Sequence, residues 1–191
     1  PHFVALCQAM AYAHSKGIIH RDLKPANVMI GAFGETVLLD WGLAKRLETP
    51  ESLERRSVGE LEHLPTDASG AQTVAGAFLG TPAYMAPEQA RDAATSDARA
   101  DVYALGTILY ELLTGRTPFV GRSATEVTFK VLNEAATPPT QLEPRCPSEL
   151  GDITLRALAK DRPFMLWADD AQWSPEGRVL RLVHHLARPG G

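Results

Sequence analysis

The chain has 191 residues, 45% hydrophobic and 22% charged, a composition that fits a folded globular protein and excludes a disordered or collagen-like one. Nineteen Lys and Arg against 23 Asp and Glu leave a net charge of -4, which argues against a nucleic-acid grip dominated by backbone phosphate. Cys7 and Cys146 form neither a C-x-x-C nor a zinc-ligand spacing, so no disulfide scaffold is expected, and a reducing, cytoplasmic compartment is the default.

In chain order, Phe3, Leu6, Cys7, Met10, Ala13 and His14 recur at helical spacing from the outset. With no initiator Met and no basic leader, the sequence reads as a fragment that opens inside a helix. That helix is expected to end at Ser15-Lys16, with Gly17 supplying the left-handed residue beyond its end. Val28-Met29-Ile30 and Thr36-Val37-Leu38-Leu39 flank a Gly-containing turn and predict a β-hairpin. Residues 45–80 are polar and aperiodic and read as a long surface loop.

From Asp101 to Thr114 the apolar stripe Val102, Leu105, Leu109 and Leu112, widened by Ile108 and Leu113, predicts a deeply buried helix stopped by Gly115. No run reaches the ~18 apolar residues of a membrane span; the best, Val102 to Leu113, carries Glu111. Ser123-Ala-Thr-Glu126 is a capping box for a helix holding Val127 and Val131. Pro138-Pro139 reads as a linker. Leu150, Ile153, Ala157 and Leu158 mark another helix before Pro163, and a last one is expected from Ser174-Pro175.

The chemistry concentrates in His20-Arg21-Asp22-Leu23-Lys24-Pro25-Ala26-Asn27 and Asp40-Trp41-Gly42. Asn27 stands just before the first hairpin strand and Asp40 just after the second, so antiparallel pairing brings them to one end of the hairpin. An Asp and an Asn side by side are hard oxygen ligands of the kind Mg²⁺ accepts alongside phosphate oxygens. Asp22 and Lys24 approach from the preceding loop, a carboxylate to take a proton and a cation to face a phosphate. Taken singly, each has an ordinary reading: a turn cap, a solvated charge, the end of a strand. The whole string in its loop-strand-turn-strand context points to a site.

His20 to Asn27 resembles the H-R-D-L-x-x-x-N catalytic loop of protein kinases, Asp40-Trp41-Gly42 stands where the family has D-F-G, and Ala86-Pro87-Glu88 matches A-P-E. The resemblance covers about residues 1–162 and implies the carboxy-terminal, large lobe of a protein-kinase-like fold, mainly α with a small β-hairpin. Lys24 and the Gly80-Thr81-Pro82-Ala83-Tyr84-Met85 run look like the serine/threonine class, and Asp40-Trp41-Gly42-Leu43-Ala44-Lys45 with the stretch from Gly80 to Gln89 look like bacterial members of the family. The family implies that Asp22 orients and deprotonates a protein Ser or Thr hydroxyl, and that Lys24 neutralises the transferring phosphoryl group. Asn27 and Asp40 would hold Mg²⁺ against ATP, and Thr81 would lie beside Asp22. Asp101 resembles the Asp that braces the catalytic loop. Arg21 resembles the Arg that pairs with an activation-loop phosphate, for which Thr73 is the candidate autophosphorylation site.

Kinases of this pattern also use a Gly-rich loop and a strand-borne Lys. No G-x-G-x-x-G occurs here, and none of Lys16, Lys24, Lys45, Lys130 and Lys160 sits in a V-A-I-K-like strand. Residues 1–191 by themselves are therefore expected to be inactive. Residues 163–191 depart from the pattern as an atypical tail. The stretch 164–187, with Asp169-Asp170, is similar to the Walker B segment of signalling ATPases; an unusual last kinase helix and a junction of two gene pieces are the alternatives. His184-His185 reads as a solvated pair rather than a metal site. Two rival functions remain at this point: a pseudokinase or scaffolding lobe, against which the joint presence of Asp22, Lys24, Asn27 and Asp40 argues, and part of a kinase–ATPase fusion.

Overall fold

A computed structural model describes residues 1–47 and 82–160. The elements in chain order are α1 (His2–Ser15), β1 (Ile18–Ile19), β2 (Val28–Ile30), β3 (Thr36–Leu38), β4 (Lys45–Arg46), α2 (Pro87–Arg91), α3 (Ala98–Thr114), α4 (Ala124–Asn133), α5 (Pro139–Leu142) and α6 (Ser148–Ala157). Single 3-10 turns cover Pro25–Asn27, Pro82–Tyr84 and Ala93–Thr95.

Helix α3 is the axis of the molecule. Every residue from Ala100 to Tyr110 is buried, as a sequence apolar over most of its circumference favours. Asp97 caps its start by accepting the Arg99 N–H at 2.8 Å, and Gly115, at φ +73, takes the left-handed position that ends it. Leu112 departs from the expected stripe and is 66% exposed, because the helix emerges from the core in its last turn. On one side of α3, Leu6, Cys7 and Met10 of α1 pack with Leu23, Leu105 and Ile108. On the other, Tyr103 and Tyr110 meet Phe119, Val127, Val131 and Leu158. Each large apolar side chain buried in this way contributes roughly 1.5–3 kcal/mol.

The hairpin forms as the sequence predicts. Val28 pairs with Leu38, Met29 with Val37 and Ile30 with Thr36. Val28 and Leu38 rest on the α1–α3 core, which fixes the hairpin against the helices. A second ladder, β1 with β4, pairs Ile18 with Arg46 and Ile19 with Lys45. It corrects the expectation of a loop beginning at residue 45. Two residues per strand and a polar Lys-Arg pair leave no periodic signal to read. Gly17, at φ +68, turns the chain from α1 into this ladder and accepts the Leu47 N–H at 2.6 Å.

Ser123 caps α4 by accepting the Glu126 N–H at 3.1 Å, while Glu126 accepts the Arg122 N–H rather than completing the box at Ser123. The Pro138-Pro139 linker carries the short helix α5, since Pro139 sits at a first helical position, where its missing N–H costs nothing. Thr73, Thr81, Asp169, Asp170, His184, His185 and the expected last helix lie outside the described residues.

Candidate active site

Asp101, in the first turn of α3, has no exposed surface. Its Oδ2 accepts the His20 N–H at 2.8 Å and its Oδ1 accepts the Arg21 N–H at 2.8 Å. His14 of α1 donates from Nε2 to the same Oδ2 at 2.8 Å. Three donors on one carboxylate, at the positive end of a helix, are what a fully buried charge needs. Since its partner is an acceptor, His14 must carry hydrogen on Nε2; its buried Nδ1 has no hydrogen-bond partner among the described residues.

The loop thus anchored is under local constraint. Arg21 adopts φ +69, a left-handed conformation rare for a residue with a side chain. Its Nε donates to the Leu43 carbonyl at 2.6 Å and its Nη1 to the Ala93 carbonyl at 3.4 Å. Lys45 reaches the adjacent Ala94 carbonyl at 2.8 Å. Two cations therefore converge on one turn. His20 is buried, donates from Nε2 to the Leu39 carbonyl at 3.1 Å and accepts the Asp22 N–H on Nδ1 at 3.3 Å. Its ring packs on Trp41 with centroids 4.7 Å apart.

Beyond Arg21 the chain reaches Lys24 in an extended conformation, at φ -159 and ψ 159. Alternation along an extended chain sends Leu23 into the core, where it is 1% exposed, and sets Asp22 and Lys24 on the opposite side. There Lys24 Nζ lies 2.6 Å from Asp22 Oδ2. Pro25 starts a 3-10 turn that swings Asn27 back toward the same carboxylate. Asn27 Nδ2 donates to the Asp22 carbonyl at 2.8 Å and to Asp22 Oδ2 at 3.2 Å. Both partners are acceptors, so the amide is oriented with Oδ1 as its remaining ligand atom.

The Asn27 carbonyl accepts the Leu39 N–H at 2.8 Å, extending the hairpin ladder by one step and placing Asp40 next in line. Asp40 is exposed and, like Arg21, left-handed, at φ +58. Its Oδ1 accepts the Gly42 N–H at 3.3 Å. The structure therefore joins Asp22, Lys24 and Asn27 directly and sets Asp40 beside them through the backbone. Farther along, the Tyr84 hydroxyl donates to Glu111 Oε2 at 2.5 Å, and burial with that carboxylate raises its pKa. Two residues that motif reading passed over act on this loop: Gln89 Nε2 donates to the Arg21 carbonyl at 2.8 Å, and His14 bonds the Asp101 carboxylate that holds it. For His14 the available signal was its place on the apolar face of α1.

A carboxylate, an ammonium and an amide thus stand together at one end of a hairpin, on a loop pinned to a buried Asp. The protein kinase domain family matches residues 2–164, and the chain belongs to that family. Its relatives include the probable serine/threonine-protein kinase PknB of Bifidobacterium longum, 38% identical over 159 residues, or 83% of this chain and 20% of that protein. The serine/threonine-protein kinase PknB of Mycolicibacterium smegmatis is 39% identical over 155 residues, 81% of this chain and 22% of its own length. The probable serine/threonine-protein kinase CE0033 of Corynebacterium efficiens is 38% identical over 161 residues, again 22% of its length. The chain thus spans about a fifth of the curated relatives it matches. Protein kinases generally use ATP and Mg²⁺. Among the described residues no helix is long and apolar enough to cross a membrane.

Proposed function

We propose that the protein carrying this chain is a serine/threonine protein kinase and that residues 1–162 supply the large lobe of its active site, with 163–191 as a separate tail. The observation that supports this most strongly is the shared Asp22 carboxylate, contacted by Lys24 at 2.6 Å and by Asn27 at 3.2 Å on the Asp101-anchored loop.

In this reading Asp22 would orient the substrate hydroxyl and accept its proton at Oδ1 or Oδ2 as that oxygen bonds to the terminal phosphorus of ATP and the bond from that phosphorus to the bridging oxygen breaks, releasing ADP. Lys24, shared between Asp22 and the substrate side, offsets charge on the transferring phosphoryl group. The donor set fits a magnesium ion: Asn27 Oδ1 and the Asp40 carboxylate are hard oxygens at one end of the hairpin. Bound Mg²⁺ supplies charge neutralisation on the phosphate oxygens. By the family resemblance Thr81 would lie beside Asp22, and Thr73 is the candidate autophosphorylation site whose phosphate Arg21 would pair with. Residues 1–191 alone are expected to give no turnover.

The test is transfer of labelled phosphate from ATP to a Ser/Thr protein by the complete protein, titrated with Mg²⁺. Asn27→Ala is expected to raise the Mg²⁺ needed for half-maximal rate by roughly 10-fold or more, the loss of one ligand. An unchanged Mg²⁺ dependence would contradict the ligand role.

A further inference from the structure

The geometry points to Gln89 as a positioning residue that ties the helix after Ala86-Pro87 to the backbone bearing Asp22, an inference that rests on the kinase reading above. Gln89 is the third residue of α2 and is half-buried. Its Oε1 accepts the Ala86 N–H at 3.0 Å, closing the first turn of that helix. Its Nε2 donates to the Arg21 carbonyl at 2.8 Å. One planar amide therefore bridges two segments that are 68 residues apart in sequence.

Arg21 is a consequential point of attachment. Its φ of +69 persists only while its neighbours hold it. Asp101 holds the N–H side of the residue at 2.8 Å, and Gln89 holds the carbonyl side. That carbonyl belongs to the peptide unit joining Arg21 to Asp22, so its orientation sets where the Asp22 side chain starts. The N–H of the same unit meets His20 Nδ1 at 3.3 Å, a long contact beside the 2.8 Å bond from Gln89.

The residue type carries the argument further. A Glu or a Gln at the third helical position serves the cap equally, because each offers an acceptor to the first amide. Only Gln offers a donor from the same group; a carboxylate would set a negative oxygen against the Arg21 carbonyl. The tether, rather than the cap, requires glutamine. Since α2 continues directly from Pro82–Met85, a shift in that segment is transmitted through Gln89 to the peptide carrying Asp22. Of the ligands proposed for Mg²⁺, Asn27 is joined to this path by its bonds to Asp22, while the Asp40 carboxylate bonds the Gly42 N–H instead, so nucleotide binding should register a shift less than turnover does.

The test uses the complete protein and its variants Gln89→Glu and Gln89→Met. Gln89→Glu keeps the Ala86 cap and should melt close to the parent while its kcat for a Ser/Thr peptide falls roughly 10–100-fold, the cost of a misplacement of about 1 Å. Its KM for ATP should change by a smaller factor than its kcat. As pH is lowered toward the carboxyl range, the kcat of Gln89→Glu relative to the parent should recover, because the introduced carboxyl regains a donor once it is protonated. Gln89→Met loses cap and tether together and should show no such recovery. Parental kcat in Gln89→Glu, or equal losses in both variants with no pH-dependent difference, would overturn the proposal. A parent protein without phosphotransfer would count against the kinase reading instead. In that case amide exchange decides: faster exchange across residues 20–23 in Gln89→Glu supports the tether, and unchanged exchange overturns it.

Discussion

Both oxygens of Asp101 are occupied, Oδ1 by the Arg21 amide and Oδ2 by the His20 amide and His14 Nε2, and none of this carboxylate is exposed. Asp101→Asn must turn an NH₂ group toward at least one of these donors. The expected loss is ~1.5–3 kcal/mol for one charge-assisted bond, measured by urea unfolding; a variant as stable as the parent would contradict the anchoring role. A second buried group makes a pH prediction. Burial pushes the Cys7 thiol from its ordinary 9.0 up to about 12. The folded state therefore keeps this proton after the unfolded state has released it. The group's contribution to stability is whole below pH 9.0 and is lost as pH rises toward about 12. Because the thiolate is the nucleophile, alkylation of Cys7 near neutral pH should follow unfolding in a denaturant series. Peptide mapping that finds Cys7 labelled in the native protein would contradict its burial.

At the scale of elements, the close approach of α3 and α6 depends on Gly106. A Cβ built there would lie 2.5 Å from Ala157 Cβ and 3.2 Å from the Ala157 carbonyl carbon. Neither neighbour is the end of a flexible side chain, so the helices would have to part. Gly106→Ala is expected to destabilise by ~1–3 kcal/mol despite its better helix propensity. Ala157→Gly in the same chain should restore part of the loss; purely additive effects in denaturant titrations would show that the two residues do not meet. The elements that sequence reading identified are those with a strong local signal: the α3 stripe, the hairpin, and the Ser123 cap. The β1–β4 ladder has two residues per strand and owes its existence to neighbours rather than to pattern. Leu112 follows the periodicity yet faces solvent, since periodicity records a helix face and not where the core stops.

At the scale of the whole molecule, the site is assembled from distant segments: His14 on α1, the loop from His20 to Asn27, Asp40 after β3, Gln89 on α2 and Asp101 on α3. Asp22, Lys24, Asn27 and Asp40 were legible because a loop and a hairpin fix their spacing locally. His14 and Gln89 were not, because their roles exist only through contacts 87 and 68 residues away in sequence. The chain spans 20–22% of the relatives named above, so catalysis is a property to be measured on the complete protein. The most direct measurement is phosphotransfer from ATP to a Ser/Thr substrate by the complete protein and its Asp22→Asn variant, with nucleotide binding followed in parallel. The account predicts that the variant binds Mg²⁺ and ATP as the parent does while turnover falls by roughly 10²–10⁴-fold, the contribution of a positioned base. Parental turnover in Asp22→Asn, or a parent that binds nucleotide and transfers nothing, would contradict it.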